Sequence, residues 1–180
     1  MITSDEIIKF WFEEITPKQW WVKDASFDVE IGQRFGATLE AAAKGELVSW
    51  RKSAQGRLAE IIVLDQFSRN IYRDNIRAFS SDPIALVLAQ EAIGLSLHRE
   101  LAIEQKKFLF MPFMHSESLV IHEEALILFS EPGLEDNLDF ERRHKAIIDD
   151  FGRYPHRNDI LGRQSTEDEI EFLKKAGSSF

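Results

Sequence analysis

Ionisable side chains recur in this chain where helical spacing calls for apolar ones. Asp65 shares a face with Leu58, Ile61 and Ile62, and Arg69 follows four residues later, a spacing that permits an ion pair. His115 and His122 fall with Leu119, Leu126 and Phe129; His144 falls with Phe140, Ile147, Ile148 and Phe151, with Glu141 one turn before it. A second concentration is Phe151-Gly152-Arg153-Tyr154-Pro155-His156-Arg157-Asn158, continued by Gly162-Arg163, whose three arginines and one histidine face a single acid, Asp159. Histidine moves protons near neutral pH, and arginine forks clamp carboxylate or phosphate. A buried carboxylate needs such a partner or it protonates.

These residue types predict one pocket for a small anionic or peptide-like ligand. Its members are Asp65, Arg69, Asn70, Arg73, His115, Glu117, His144, Arg153, His156, Arg157, Asn158 and Arg163. Were the pocket catalytic, His115 or His156 would move the proton and Asp65 would orient or stabilise an imidazole, without metal. The competing reading is a buried polar network that only pins helices in register, leaving a protein-interaction scaffold. His115, Glu117, His122, Glu123, Glu141 and His144 are also metal-ligand types, and Glu141-x-x-His144 has the spacing of helical di-iron sites. Such sites need a second motif and two further glutamates, so no metal and no cofactor is expected. No nucleophile elbow, phosphate-binding glycine loop or dinucleotide fingerprint occurs.

The elements that must carry these groups read at the helical period throughout. Ser4 is expected to cap a first helix that Thr16-Pro17 ends. Phe27, Ile31, Phe35, Leu39 and Ala42 mark a second helix, stopped by Gly45, and a third runs from about Ser53 to Arg69. Asp82-Pro83 opens another. Pro112 is expected to divide a short helix from one that starts near His115 or Ser116 and runs to Phe129. Asp136 or Asn137 would cap the next, which stops at Gly152, and Thr166-x-x-Glu169 is a capping box for a terminal helix. The apolar end, Ser178-Ser179-Phe180, is expected to dock back as a structural cap. Trp20 and Trp21 are adjacent and cannot share a helical face, so one is expected to be partly exposed or at a subunit contact.

The whole-chain arithmetic limits the partners. With 180 residues, one all-helical domain over 1–180 is expected, large enough to fold on its own core. The chain has no cysteine, which removes thiolate metal sites, disulfides and thiol catalysis. A net charge of −9 opposes broad nucleic-acid binding while leaving room for one local anion site. The start lacks the pattern of a secretory signal, and no apolar run approaches membrane-spanning length, so a cytoplasmic protein without membrane contact is expected. A homo-oligomer is compatible with these data.

Four strings taken together carry a resemblance: Leu64-Asp65-Gln66-Phe67-Ser68-Arg69-Asn70, Met111-Pro112-Phe113-Met114-His115-Ser116-Glu117, Phe151-Gly152-Arg153-Tyr154-Pro155-His156-Arg157-Asn158, and Ser178-Ser179-Phe180. The chain resembles, from Phe10-Trp11-Phe12 to Phe180, the bacterial family catalogued as domain of unknown function 924. That resemblance implies an all-α, single-domain fold similar to the tetratricopeptide-repeat superhelix, an architecture that spacing alone does not reach. It implies no activity.

Overall fold

The computed structural model describes residues 2–179, and every regular element among them is helical. The α-helices are α1 (Ser4–Lys9), α2 (Ala25–Ala43), α3 (Ala54–Ile62), α4 (Ser68–Ile71), α5 (Asp82–Gly94), α6 (Ile103–Met114), α7 (Leu119–Phe129), α8 (Glu135–Phe151) and α9 (Glu167–Leu173). The chain divides into two compact units, Met1–Arg73 with Arg77–Pro112, and Asp74–Ile76 with Phe113–Phe180.

The first unit is built on α3, which continues through a π turn, Val63–Phe67, into α4. Every residue from Leu58 to Ser68 is buried, so this stretch has no solvent face and carries no amphipathic stripe. α1 and α5 pack against α3, and α2 packs against the π turn. A second π turn, Phe10–Glu14, extends α1. Between these segments Phe10, Phe35 and Phe67 form an aromatic centre, with ring centroids 4.8 Å apart for Phe10–Phe35 and 5.0 Å for Phe35–Phe67. Trp11 sets its ring edge-on to Phe67 and Phe108, each at 5.5 Å. Trp20 donates its indole N–H to the Trp11 carbonyl at 2.9 Å, whereas Trp21 is 57% exposed and stacks on Phe108. The expected split of the tryptophan pair is therefore seen within one chain.

Gly56 marks the closest backbone approach in this unit. A Cβ there would run into the Trp50 carbonyl, which belongs to backbone and cannot swing away. Gly56→Ala is expected to cost about 3 kcal/mol, the upper end for overpacking, read as a lowered urea midpoint at unchanged slope. A variant as stable as the native protein would show that the helix can shift to make room.

The second unit pairs α7 with α8 and sets α9 against a short 3-10 turn, Pro155–Arg157. α8 ends at Gly152, whose φ of 68° lies in the left-handed region and whose N–H bonds the Ile148 carbonyl at 2.8 Å. Ile147, Ile148 and Tyr154 are the buried apolar centre, with Phe151 and Phe172 packed around them.

Several expected boundaries move. Thr3, not Ser4, caps α1, because Thr3 stands three residues before Glu6 and closes the capping box with it. Pro112 lies inside α6, which ends only at Met114; its missing N–H removes a single bond in the last turn of a helix whose neighbours Leu109, Phe110, Met111 and Phe113 are all buried. α7 therefore starts at Leu119, leaving His115 in the preceding loop and Leu119 in an exposed first turn. Neither Asp136 nor Asn137 caps α8; Leu134 occupies that position without a side-chain bond. Phe140 stays on the predicted stripe but is 52% exposed, because the stripe borders a cleft there rather than core.

Candidate functional site

The predicted pocket residues fall in both units. In the first, Asp65 sits in the π turn and is fully buried. One of its oxygens lies 3.2 Å from Arg69, and the other accepts from the Gln66 amide at 2.6 Å. Arg69 spans two carboxylates, reaching Asp82 with two bonds of 2.8 Å and the Asp65 carbonyl with a third of 2.8 Å. Asn70 and Arg73 both donate to Asp28, a partner on α2 that the sequence did not single out. The forks in this unit thus close on the protein's own carboxylates.

In the second unit Glu117, His144, His156, Arg157 and Arg163 meet Tyr154, which is fully buried. The loop before α7 sends Glu117 to the Tyr154 backbone N–H at 2.8 Å and to Arg163, whose fork grips it at 2.7 and 2.9 Å. Arg163 also donates to Asn158 at 2.9 Å, Asn158 donates to Glu169 at 3.3 Å, and Arg153 closes on Glu169 at 2.6 and 2.7 Å. This chain of bonds holds residues 153–169 as one ordered segment. Arg153 holds the Glu169 carboxyl down at about 2, assisted by the Thr166 N–H. Burial pushes Glu117 upward, but the Arg163 and Tyr154 bonds outweigh it and leave its carboxyl below the usual range.

Around the Tyr154 ring stand three groups of another kind. The Arg157 guanidinium lies 4.6 Å from the ring centroid, and the His144 and His156 rings lie 5.8 and 5.7 Å from it. Arg157 is 5% exposed and His144 7%. His144 Nδ1 lies 2.7 Å from the Phe140 carbonyl, which fixes the proton on Nδ1. Burial pushes its imidazole down to about 3 against the opposing bond to the Phe140 carbonyl, and the Arg157 guanidinium pushes it further down. His144 also lines a cleft of about 150 Å³ with Phe140, Arg143, Ile147, Gly177 and Ser179. Arg143 stands at this cleft with its guanidinium 5.5 Å from the Phe140 ring.

Behind Tyr154 lies a sealed pair. His122 Nδ1 is 2.6 Å from Glu141 Oε1 and His122 Nε2 is 2.8 Å from the Ser116 carbonyl, with both side chains fully buried. The metal reading named both residues. Among the described residues no group of three histidine, aspartate or glutamate side chains is set to hold a metal ion.

The model of the bacterial family of unknown function DUF924 fits residues 7–177. The chain belongs to this family. A solved Agrobacterium tumefaciens structure, of a protein of unknown function, is 34% identical to this DUF924 protein with a TM-score of 0.91, over 95% of this chain and 96% of that one. A comparison with curated proteins finds no match.

In this DUF924 protein the sequence pointed to most of the cluster and missed its centre. Tyr154 follows the end of α8, where a tyrosine reads as ordinary packing rather than as a site residue. A buried tyrosine must place its hydroxyl, and this one donates to the Met114 carbonyl at 2.6 Å. Glu169 was seen only as a cap, although it also holds Arg153. The docking expected of the C-terminal residues is described only in part: Ser178 is buried and donates to the Leu173 carbonyl at 3.1 Å, while Phe180 lies outside the described residues.

Proposed function

We propose that this protein binds a small anionic ligand, a carboxylate or phosphate group or the acidic end of a peptide, at the cleft beside His144. One observation carries the reading: His144, whose ring also packs edge-on to Tyr154 near Arg157, forms the cleft wall together with Arg143. Arg163, Arg153, Arg69 and Arg73 each hold a carboxylate of the protein, whereas His144 and Arg143 line the cleft itself. An anion at the cleft would gain from the Arg143 guanidinium, which stands beside the neutral His144 ring. Phe140 and Ile147 supply an apolar wall for the rest of the ligand.

The same reading treats the chain as one cytoplasmic domain with a tetratricopeptide-like helical array. Its all-α fold, the absence of cysteine, and the lack among the described residues of any helix long and apolar enough to cross a membrane support that view.

The test is an NMR titration of the histidine-labelled protein with inorganic phosphate and, separately, with acetate near neutral pH. The His144 imidazole signals should move saturably with one of them, and Arg143→Ala should weaken that binding by roughly tenfold, the value of one charge-assisted bond. His144 signals that stay fixed at high concentrations of both anions would overturn the reading.

A further inference from the structure

The His122 imidazole stands in line between two acceptors. Nε2 faces the Ser116 carbonyl at 2.8 Å, and a carbonyl can only accept, so Nε2 must carry a proton. The Tyr154 hydroxyl, 3.1 Å from the same nitrogen, gives its own proton to the Met114 carbonyl at 2.6 Å and can only accept from His122. On the other side Nδ1 faces Glu141 Oε1 at 2.6 Å. A neutral imidazole protonated at Nε2 presents a lone pair at Nδ1, and an ionised carboxylate presents another. The two cannot meet at that distance, so a proton must lie in the gap. Moving the single imidazole proton to Nδ1 only transfers the clash to Ser116.

We propose that Glu141 and His122 form a buried latch that holds this extra proton, and that losing it on the alkaline side releases α7 from α8. The inference is independent of anion binding. Two arrangements fill both gaps: a protonated Glu141 donating to Nδ1, or an imidazolium facing a carboxylate. Full burial favours the first, because it places no charge in the core. Glu141 Oε2 strengthens the choice: it is buried without a hydrogen-bond partner among the described residues, a position far less costly for a neutral carboxyl oxygen than for an ionised one. Burial likewise pushes the Glu141 carboxyl upward, against the pull of His122 and Lys145.

The groups around the latch do not supply the missing proton. On α8, Lys145 pairs with Asp149 at 2.8 Å and with Glu123 of α7 at 3.1 Å, and His144 is held neutral. In the loop before α7, Glu117 is held by Arg163, and His115 acts on His144 through its charge. Beyond α8, Arg157 covers the Tyr154 ring.

The latch is tested on the native, unliganded chain. Nitrogen NMR of labelled histidine should show, near neutral pH, His122 with a proton on Nε2 and a strongly deshielded proton in the Nδ1 gap. No deshielded proton in the Nδ1 gap, with Nδ1 read as an imine nitrogen that accepts no hydrogen bond, overturns the proposal. Hydrogen exchange gives the consequence. After correction for intrinsic base catalysis, protection of α7 and α8 amides should fall roughly tenfold per pH unit above the point where the proton is lost. Glu141→Gln, whose amide always brings a proton to Nδ1, should abolish that loss. Equal alkaline loss in both proteins overturns the latch, and if the variant does not fold the NMR measurement on the native chain decides.

Discussion

Tyr154→Ala is expected to lower the unfolding free energy by roughly 3–5 kcal/mol, the range for truncating a fully buried aromatic. The ring is fully buried and packs with Ile147, Ile148, Phe151 and Phe172, so the substitution removes its transfer energy and leaves a cavity between helices and turn. It also removes the ring on which Arg157, His144 and His156 rest, so these side chains should loosen along with the fold. Tyr154→Phe separates the two contributions. It keeps the ring and strips the Met114 carbonyl of its donor, which should cost about 1–2 kcal/mol. Urea unfolding of both variants, with the slope unchanged, is the measurement. An alanine variant within about 1 kcal/mol of native would show that the surrounding side chains collapse into the space and that Tyr154 is not the centre of this unit.

Acid is expected to weaken the protein through His144 well before its carboxylates titrate. The folded imidazole is held at about 3 against an ordinary 6.5, chiefly by burial. Below pH 6.5 the unfolded chain takes up a proton that the folded chain refuses, so stability is fully present above 6.5 and declines as pH falls toward 3. At 1.36 kcal/mol per unit the full span is worth up to roughly 5 kcal/mol. Glu169, held at about 2 against 4.5, adds a loss of the same direction only below 4.5. Glu141, raised by burial, acts in the opposite sense: its contribution is present at low pH and declines as pH rises through its folded value. Between 6.5 and 4.5 Glu169 adds no slope, whereas Glu141 opposes His144, so the His144 contribution is read as the difference between the native protein and His144→Gln. Chemical unfolding across that interval should show the native protein losing stability relative to His144→Gln by up to about 1.4 kcal/mol per pH unit as the pH falls. Matching slopes would mean that His144 charges in the folded state.

Much of the architecture could be read without coordinates. The period of Phe27, Ile31, Phe35, Leu39 and Ala42 marked α2, Asp82-Pro83 marked the start of α5, and Thr166 and Glu169 marked α9, because each of these signals is local and acts within one or two turns. The boundaries that moved are those where distant packing overrides a local preference. Pro112 stays helical amid buried neighbours, and the π turn at Val63–Phe67 buries five consecutive residues, which no regular helical stripe predicts.

By itself the sequence determined that the chain is helical, that it has no thiol chemistry, and that histidines, acids and arginines sit where apolar residues belong. It could not say which acid meets which base. Glu117 with Arg163 is separated by 46 residues, Arg73 with Asp28 by 45, and His122 with Glu141 by 19. Spacing along a helix constrains neighbours three or four residues away and nothing beyond. Only the tertiary structure decided that most of the arginines are held by the protein's own carboxylates, that Arg157 lies on the Tyr154 ring, and that one imidazole lies in line between a carboxyl and a carbonyl. Those outcomes depend on two groups arriving within about 3 Å in a dry interior, where an unmatched proton or charge costs enough to choose the arrangement.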